Sequence, residues 1–376
     1  MKKLGFGLMR LPLTDSEDSK TIDVDRFNTM VDLFMERGFT HFDTAYMYHG
    51  EKSEEVFRES VVKRYPRESF TVTDKMPIYM VEKKEDLEKI FKEQLERCGV
   101  DYFDYYWMHA MNDQRYSLSK EVDAFGFLEE KKKEGKIRHI GFSFHDSAEV
   151  LDKMLKNEPS VEFVQLQINY LDWEDGRIQS RLCYETARKH NKKIFIMEPV
   201  KGGTLAQLPE QAEALLKKKD PEASVASWAL RYAASLEDVV MVLSGMSEEW
   251  QLEDNIEIFD DFKALEKEDY KLLDEVVEII KKSMKIACTS CRYCVDGCPV
   301  SIAIPEYFEI YNRSVDLSNP DDPAIKADFA KLADKHGKPW ECIACGQCQD
   351  QCPQFLPIIE DLKKISDIFQ KDYEKI

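Results

Sequence analysis

Short apolar runs alternate with longer amphipathic stretches from residue 4 to residue 258. The apolar runs predict strands over 4–9, 39–43, 70–75, 103–109, 137–143, 163–168, 193–197 and 239–243. Between and after them, the spacing of apolar positions predicts helices over 24–37, 53–64, 83–98, 124–134, 147–156, 179–190, 223–234 and 248–258. Gly38, Gly99 and Gly135 stand where three of these helices should stop. Ser53 suits an N-cap, with Glu54 and Glu55 in the turn that favours negative charge. Strand-then-helix repetition builds parallel sheet. Eight such units in about 255 residues fit a closed (β/α)8 TIM barrel better than an open doubly wound sheet. No G-x-G-x-x-G follows a strand, as the open alternative would require.

In such barrels the chemistry lies where strands end. The stretch 40–50, THFDTAYMYHG, ends a strand at Asp43 and enters a polar, aromatic loop carrying Tyr48. The next two strand-like runs end at Lys75 (VTDK) and His109 (DYYWMH). Each residue alone has an ordinary structural reading: a solvated charge, a core histidine, one of 16 tyrosines. Their arrival at successive strand ends points to a joint site. A tyrosine hydroxyl titrates near pH 10, and a nearby ammonium should lower that value while a carboxylate holds the ammonium in place. The expected roles are therefore Tyr48 as proton donor, Lys75 as its tuner, Asp43 as the anchor of Lys75 and His109 as the orienter of a substrate oxygen. Such a set suits carbonyl reduction by hydride.

Composition narrows the class. The chain has 376 residues, enough for a barrel-sized domain and a small one. A formal net charge of −19 argues against a nucleic-acid footprint. The opening MKKLGFGLMRLPL is broken by Gly5, Gly7, Arg10 and Pro12, so a signal peptide is not expected, and no run reaches membrane-span length. A cytoplasmic location is the expectation. Cys98 and Cys183 are the only cysteines before residue 284 and read as small buried hydrophobes. The other eight fall between Cys288 and Cys352, beyond a charged helical stretch at 266–282. The expected division is thus a barrel over 1–283 and a small, mainly helical module over 284–376.

That module repeats one spacing, C-x2-C-x2-C-x3-C-P, in CTSCRYCVDGCP and CIACGQCQDQCP. In this iron–sulfur pattern the fourth cysteine ligates the other cluster. Cys288, Cys291, Cys294 and Cys352 are expected to hold one [4Fe–4S] cluster, and Cys342, Cys345, Cys348 and Cys298 the second. Paired zinc sites are the rival reading, but zinc motifs use paired cysteines rather than tight quartets with trailing prolines. The intervening residues include helical stretches at 305–313 and 325–336, which resemble helical ferredoxin modules. Pro299 and Pro353 read as turn-makers.

FDTAYMYHGEKSEE, VTDKMP and YYWMHAM resemble the catalytic segments of the aldo-keto reductase superfamily, with all four residue types in order. The resemblance spans about residues 4–260 and implies a nicotinamide cofactor held across the barrel mouth without a dinucleotide-binding fold. From IGFSFHD it implies that Ser143 holds the carboxamide, although Phe144 replaces the usual Asn. From FVQLQIN it implies a second carboxamide contact by Gln165, and from IMEPVKGG it puts Met197 where an aromatic often stacks. SGMSEEWQLEDN resembles the adenine-end segment, implicating Gly245, Ser247, Gln251 and Asn255. Each of these could equally be a helix cap. Neither Gly245 nor Gln251 is cationic, which favours NADH over NADPH unless Lys201 or another base reaches in.

The expected protein is an NAD(P)H-dependent reductase of aldehydes or ketones fused to a two-cluster electron carrier. Its partners would be a small carbonyl substrate and a redox protein, a ferredoxin or flavoprotein. The alternative is an electron-transfer subunit whose barrel docks a partner or senses nucleotide. Met76, Trp107, Met111 and Met197 suggest an apolar mouth or belong to the core.

Overall fold

In the computed structural model, eight parallel strands close into a barrel in chain order: β1 (Leu4–Gly7), β2 (His41–Asp43), β3 (Thr71–Met76), β4 (Phe103–Met111), β5 (Ile137–Phe144), β6 (Phe163–Gln167), β7 (Lys193–Met197) and β8 (Val239–Ser244). The structure describes residues 2–15, 18–295, 297–316 and 322–373. Gly5 pairs with His41 on one side of β1 and with Leu243 on the other, which closes the ring.

Side chains alternate across each strand, so every second residue points into the barrel. The interior is packed with rings: Tyr105, Trp107 and Phe195 cluster with Met241 and Leu243. His139 stacks on Tyr105 at 5.2 Å, and His41 meets it edge-on at 5.5 Å. Room for this packing comes from missing side chains. A Cβ on Gly141 would stand 2.3 Å from the Trp107 ring. Met76, Trp107 and Met111 are therefore fully buried core residues and not a mouth; Met197 is half-buried.

The outer helices form for the reasons their sequences suggest. Val24–Glu36 buries Phe27, Met30, Val31 and Phe34, one stripe at helical spacing, and Asp23 caps its first turn by accepting from the Arg26 N–H. Lys84–Cys98 stops at Gly99, whose φ of 67° is left-handed. The helix expected over 53–64 runs as α-helix only over Ser53–Phe57 and continues as a wider π turn over Arg58–Val62. Helices at Asp113–Glu121, Glu210–Lys219 and Ile358–Tyr373 add to those expected from the spacing.

Packing divides the chain into two compact units, Met1–Val200 with Ala226–Leu265, and Lys201–Val225 with Glu266–Ile376. The second unit thus takes the segment that follows β7 in sequence, and the helix Lys267–Ser283. Its core gathers Tyr307, Phe308, Phe329, Leu362, Ile365 and Phe369 from the helices Ile304–Asp316, Pro323–Lys335 and Ile358–Tyr373. Phe329 stacks on Phe369 at 4.6 Å.

Candidate functional site

Asp43, Lys75 and His109 each lie at the C-terminal end of a strand, two residues beyond the inward-facing His41, Thr73 and Trp107. Strand period brings them to one side of the sheet. Lys75 Nζ donates to Asp43 Oδ1 at 2.5 Å and to the Thr44 carbonyl at 2.7 Å, and lies 3.5 Å from the Tyr48 hydroxyl. The Tyr48 and His109 rings meet edge-on at 6.0 Å. All four expected residues are thus brought to one place.

Asp74 points the opposite way, as its neighbour in a strand must. It meets Glu54 and Cys98 in a fully buried group. Burial and the facing Glu54 push Asp74 upward, so this pair holds a proton. Gln94 ties the group to the site by donating to Glu54 and to the Lys75 carbonyl, both at 3.0 Å. Cys98 and Cys183 are buried and have thiols pushed up by burial, as expected of inert cysteines.

The expected lowering of the Tyr48 hydroxyl does not hold in this site. Burial first, then Asp43, pushes it well above its ordinary value. The reason is geometric. Lys75 stands closer to Asp43 than to Tyr48, so its charge is largely spent on the carboxylate. Tyr48 is accordingly protonated at neutral pH, the state a donor needs. Burial, followed by Lys75, holds His109 well below its usual range, so its imidazole is neutral. Asp43 is pushed up by burial and pulled down by Lys75 and Gln165.

A backbone irregularity sets His109. Between Met108 and Met111 the pairing of β4 with β5 shifts, and Ala110 takes a left-handed φ of 52°. Such bulges re-aim side chains beside active sites. Ser143 Oγ accepts from the Ala110 N–H at 2.7 Å, which leaves its own hydrogen available to donate. Two residues not anticipated from the sequence join the rim. Tyr79 lies 6.2 Å from the His109 ring, and the Arg115 guanidinium lies over Tyr79 at 4.9 Å. Both follow strand ends, Tyr79 in the short helical turn Ile78–Met80 and Arg115 in the helix Asp113–Glu121, which was the signal available.

Among the nucleotide residues implied by resemblance, Ser143 and Gln165 are buried at the mouth and Met197 is half-buried there. At the adenine-end segment, Gln251 Oε1 accepts from the Ser247 and Glu248 N–H groups at 2.8 and 3.2 Å, a helix cap. Asn255 Nδ2 donates to Ser244 Oγ at 2.7 Å. A basic residue other than Lys201 packs beside this segment. A Cβ on Gly245 would lie 3.1–3.3 Å from the Arg10 side chain, and Ser247 Oγ donates to the Arg10 carbonyl at 2.9 Å. Lys201, the base named from the sequence, instead donates to Gln354 at 3.1 Å within the second unit.

In the second unit the eight tail cysteines line two openings. Cys288, Cys291, Cys294 and Cys352 line one of about 310 Å³. Cys298, Cys342, Cys345 and Cys348 line another of about 320 Å³, and Ile304 borders both. Each set draws three cysteines from one motif and the last from the other, the crossed grouping the spacing predicts. Burial together with Cys291, Cys288 and Cys352 pushes the Cys294 thiol up. Burial together with Cys342 and Cys345 pushes Cys348 up to about 11. Four thiols so placed suit a metal cluster that binds them as thiolates.

The loops repeat each other's backbone. Ser290 and Arg292 in the first motif, like Ala344 and Gly346 in the second, have positive φ, as do Ser301 and Phe355 after each fourth cysteine. Such turns direct successive N–H groups into a concavity suited to an anion or an iron–sulfur cluster. Cys288 and Cys298 accept N–H bonds from Ser290 and Ile302, each at 3.4 Å.

Comparison with known proteins agrees with both halves. A model of the "Aldo/keto reductase family" matches residues 3–278, and a "4Fe-4S dicluster domain" model matches residues 287–356. The chain is 27% identical over 289 residues to a 9,11-endoperoxide prostaglandin H2 reductase of Trypanosoma cruzi, covering 74% of this chain and 88% of that one. Toward the other end it is 28% identical over 114 residues to a heterodisulfide reductase C-like protein of Archaeoglobus profundus, covering 29% of this chain and 54% of that protein. Among solved structures, the holo form of an aldo-keto reductase from Bacillus halodurans superposes with a TM-score of 0.59 at 22% identity, covering 73% and 91% of the two chains. An aldo-keto reductase of Klebsiella pneumoniae in complex with NADPH gives 0.58 at 18% identity, covering 73% and 90%. Among the described residues no helix is long and apolar enough to cross a membrane. The chain is an oxidoreductase that belongs to the aldo/keto reductase family, with a 4Fe-4S dicluster domain fused after its barrel.

Proposed function

We propose that the barrel reduces a small aldehyde or ketone with a nicotinamide nucleotide, with Tyr48 donating the proton. The observation that carries this reading is Lys75, 2.5 Å from Asp43 and 3.5 Å from Tyr48. Bound across the mouth, the nucleotide would supply hydride to the carbonyl carbon. As negative charge develops on the carbonyl oxygen, Tyr48 gives it a proton and recovers one from solvent. Lys75 stabilises the phenolate left behind, and Asp43 keeps Lys75 in place. Neutral His109 holds the substrate oxygen by hydrogen bonding. Ser143 and Gln165 would hold the carboxamide, and Met197 would pack against the ring. The Arg10 side chain packs beside Gly245 at the adenine-end segment, and the proposal covers either NADH or NADPH.

The tail is proposed to hold two [4Fe–4S] clusters in the crossed sets and to exchange single electrons with a redox protein. Cys345 is exposed, and Ile343 beside it is 63% exposed, so the second cluster would present an edge to such a partner. That exposure also favours the second reading, an electron-transfer subunit whose barrel docks or senses nucleotide. The deciding experiment follows NADPH and NADH oxidation by the purified protein across a panel of aldehydes and ketones, alongside nucleotide binding. Carbonyl-dependent oxidation with either nucleotide supports the reductase. Absence of nucleotide binding, with clusters that still exchange electrons with a carrier, supports the electron-transfer role.

A further inference from the structure

Strand β3 outruns β2. Their ladder ends where the Thr44 N–H donates to the Thr73 carbonyl at 3.0 Å, one residue past Asp43. Lys75 faces the same edge two residues on, where β2 no longer runs beside it. Side chains take over from the missing strand. Asp74 Oδ1 accepts from the Lys75 N–H at 2.8 Å, and Gln94 Nε2 donates to the Lys75 carbonyl at 3.0 Å. Neither side chain is free to turn. Gln94 Nε2 also donates to Glu54 Oε1 at 3.0 Å, and Gln94 Oε1 accepts from the Tyr106 hydroxyl. Asp74 Oδ2 accepts from the Cys98 thiol at 3.5 Å. Asp74, Glu54, Gln94, Cys98 and Tyr106 are all fully buried.

Glu54 extends this group to the loop of Tyr48. Arg97 Nε lies 2.8 Å from Glu54 Oε2 and offsets its charge. The Arg97 guanidinium lies over the Tyr46 ring at 4.5 Å and donates to the carbonyls of Tyr46, at 3.4 Å, and of Glu51. Those two carbonyls bracket Tyr48. Gln94 and Arg97 stand three apart on the helix Lys84–Cys98, so one helix face serves both Lys75 and the Tyr48 loop. A buried ionic group adds little net stability over apolar packing of the same volume. What this one supplies is direction. Lys75 Nζ has to reach Asp43 at 2.5 Å and Tyr48 at 3.5 Å together, and a displacement of about 1 Å in such a site costs on the order of 10²-fold in rate.

We propose that Asp74 and Glu54 are positioning residues for proton donation: Asp74, with Gln94, fixes the main chain of Lys75, and Glu54, through Arg97, fixes the loop that carries Tyr48. This rests on the reading that Tyr48 and Lys75 serve carbonyl reduction.

The test starts from carbonyl-dependent nucleotide oxidation by the full-length wild type. Its absence defeats the underlying reading, and the proposal with it. With turnover present, kcat per bound nucleotide, KM and nucleotide affinity are compared among variants. Asp74→Leu strands the Lys75 N–H and is expected to lower kcat by about 10–10²-fold, with KM and nucleotide affinity within about twofold of wild type. Asp74→Asn keeps an acceptor for that N–H and a donor toward Glu54, as the protonated carboxyl does, and should recover most of the loss. Arg97→Lys keeps a charge beside Glu54 but loses the fork that spans the Tyr46 and Glu51 carbonyls, and should lower kcat on the same pattern. Where Asp74→Leu does not fold, Gln94→Met strands the Lys75 carbonyl instead and carries the same expectation. An unchanged kcat in these variants, a loss that falls on KM or nucleotide affinity, or a loss that Asp74→Asn fails to recover would overturn the proposal.

Discussion

Lys75 Nζ lies 2.5 Å from Asp43 Oδ1, and both side chains are buried, so neither charge is stable without the other. Removing one partner of such a pair costs about 3–5 kcal/mol, because it strands the other charge. Lys75→Met is therefore expected to lower both the unfolding midpoint and the turnover, the latter by about 10²–10⁴-fold. The double variant Lys75→Met/Asp43→Leu should recover most of the stability and none of the turnover. Denaturant midpoints and kcat measured on the three proteins separate the two effects.

Histidine burial predicts how the protein responds to acid. Burial and then Lys75 lower His41 to about 3, and burial lowers His109 well below its ordinary value. Unfolded histidines titrate near 6.5, so below that pH the unfolded chain binds more protons than the folded one. These groups add stability at neutral pH that is lost as pH falls from about 6.5 toward 3. Each contributes a slope of about 1.4 kcal/mol per pH unit. His41→Leu should flatten the dependence of the urea midpoint between pH 6 and 5 by about that amount.

The same site predicts the pH profile of turnover. Tyr48 is raised, so its proton is present throughout the neutral range and is lost only above pH 10. His109 is neutral and contributes no inflection near 6.5. kcat/KM should be level from about pH 6 to 9 and fall on the alkaline side. A limb rising through pH 6.5 that disappears in His109→Gln would show that the imidazole titrates.

Crossed ligation makes a counting prediction for the tail. Cys294→Ser and Cys352→Ser act on the same opening, so either single variant and their double should lose the same cluster, leaving about four iron atoms of about eight. Cys294→Ser with Cys345→Ser should lose both clusters, because those cysteines line different openings. Iron analysis of these four variants checks the pairing.

Much of this arrangement was legible from residue types and spacing. Period-two alternation was enough to aim Asp43 and Lys75 at one mouth and to bring His109 to it, where the shift between Met108 and Met111 then sets the ring, and the cysteine spacing anticipated which three of each motif share an opening and how the fourth crosses to the other. Other features had no local signal. Asp113–Glu121, DQRYSLSKE, buries only Tyr116 and Ser119 and offers no apolar stripe to read. Arg10 lies against Gly245 because β1 pairs with β8, a contact across nearly the whole barrel sequence. Lys201 read as a loop base, yet its ammonium donates to Gln354, 153 residues away. The raised Tyr48 hydroxyl had no signal in residue types, which give no distances, because it follows from burial and from Lys75 lying nearer to Asp43 than to Tyr48.

The role of Tyr48 is the claim on which the account of the barrel depends, and Tyr48→Phe tests it most directly. The substitution removes one hydroxyl and leaves the ring against His109. With nucleotide binding measured in parallel, the account predicts unchanged nucleotide affinity and a fall in carbonyl-dependent kcat of at least about 10²-fold. Retention of the wild-type rate by a variant that binds nucleotide normally would contradict it.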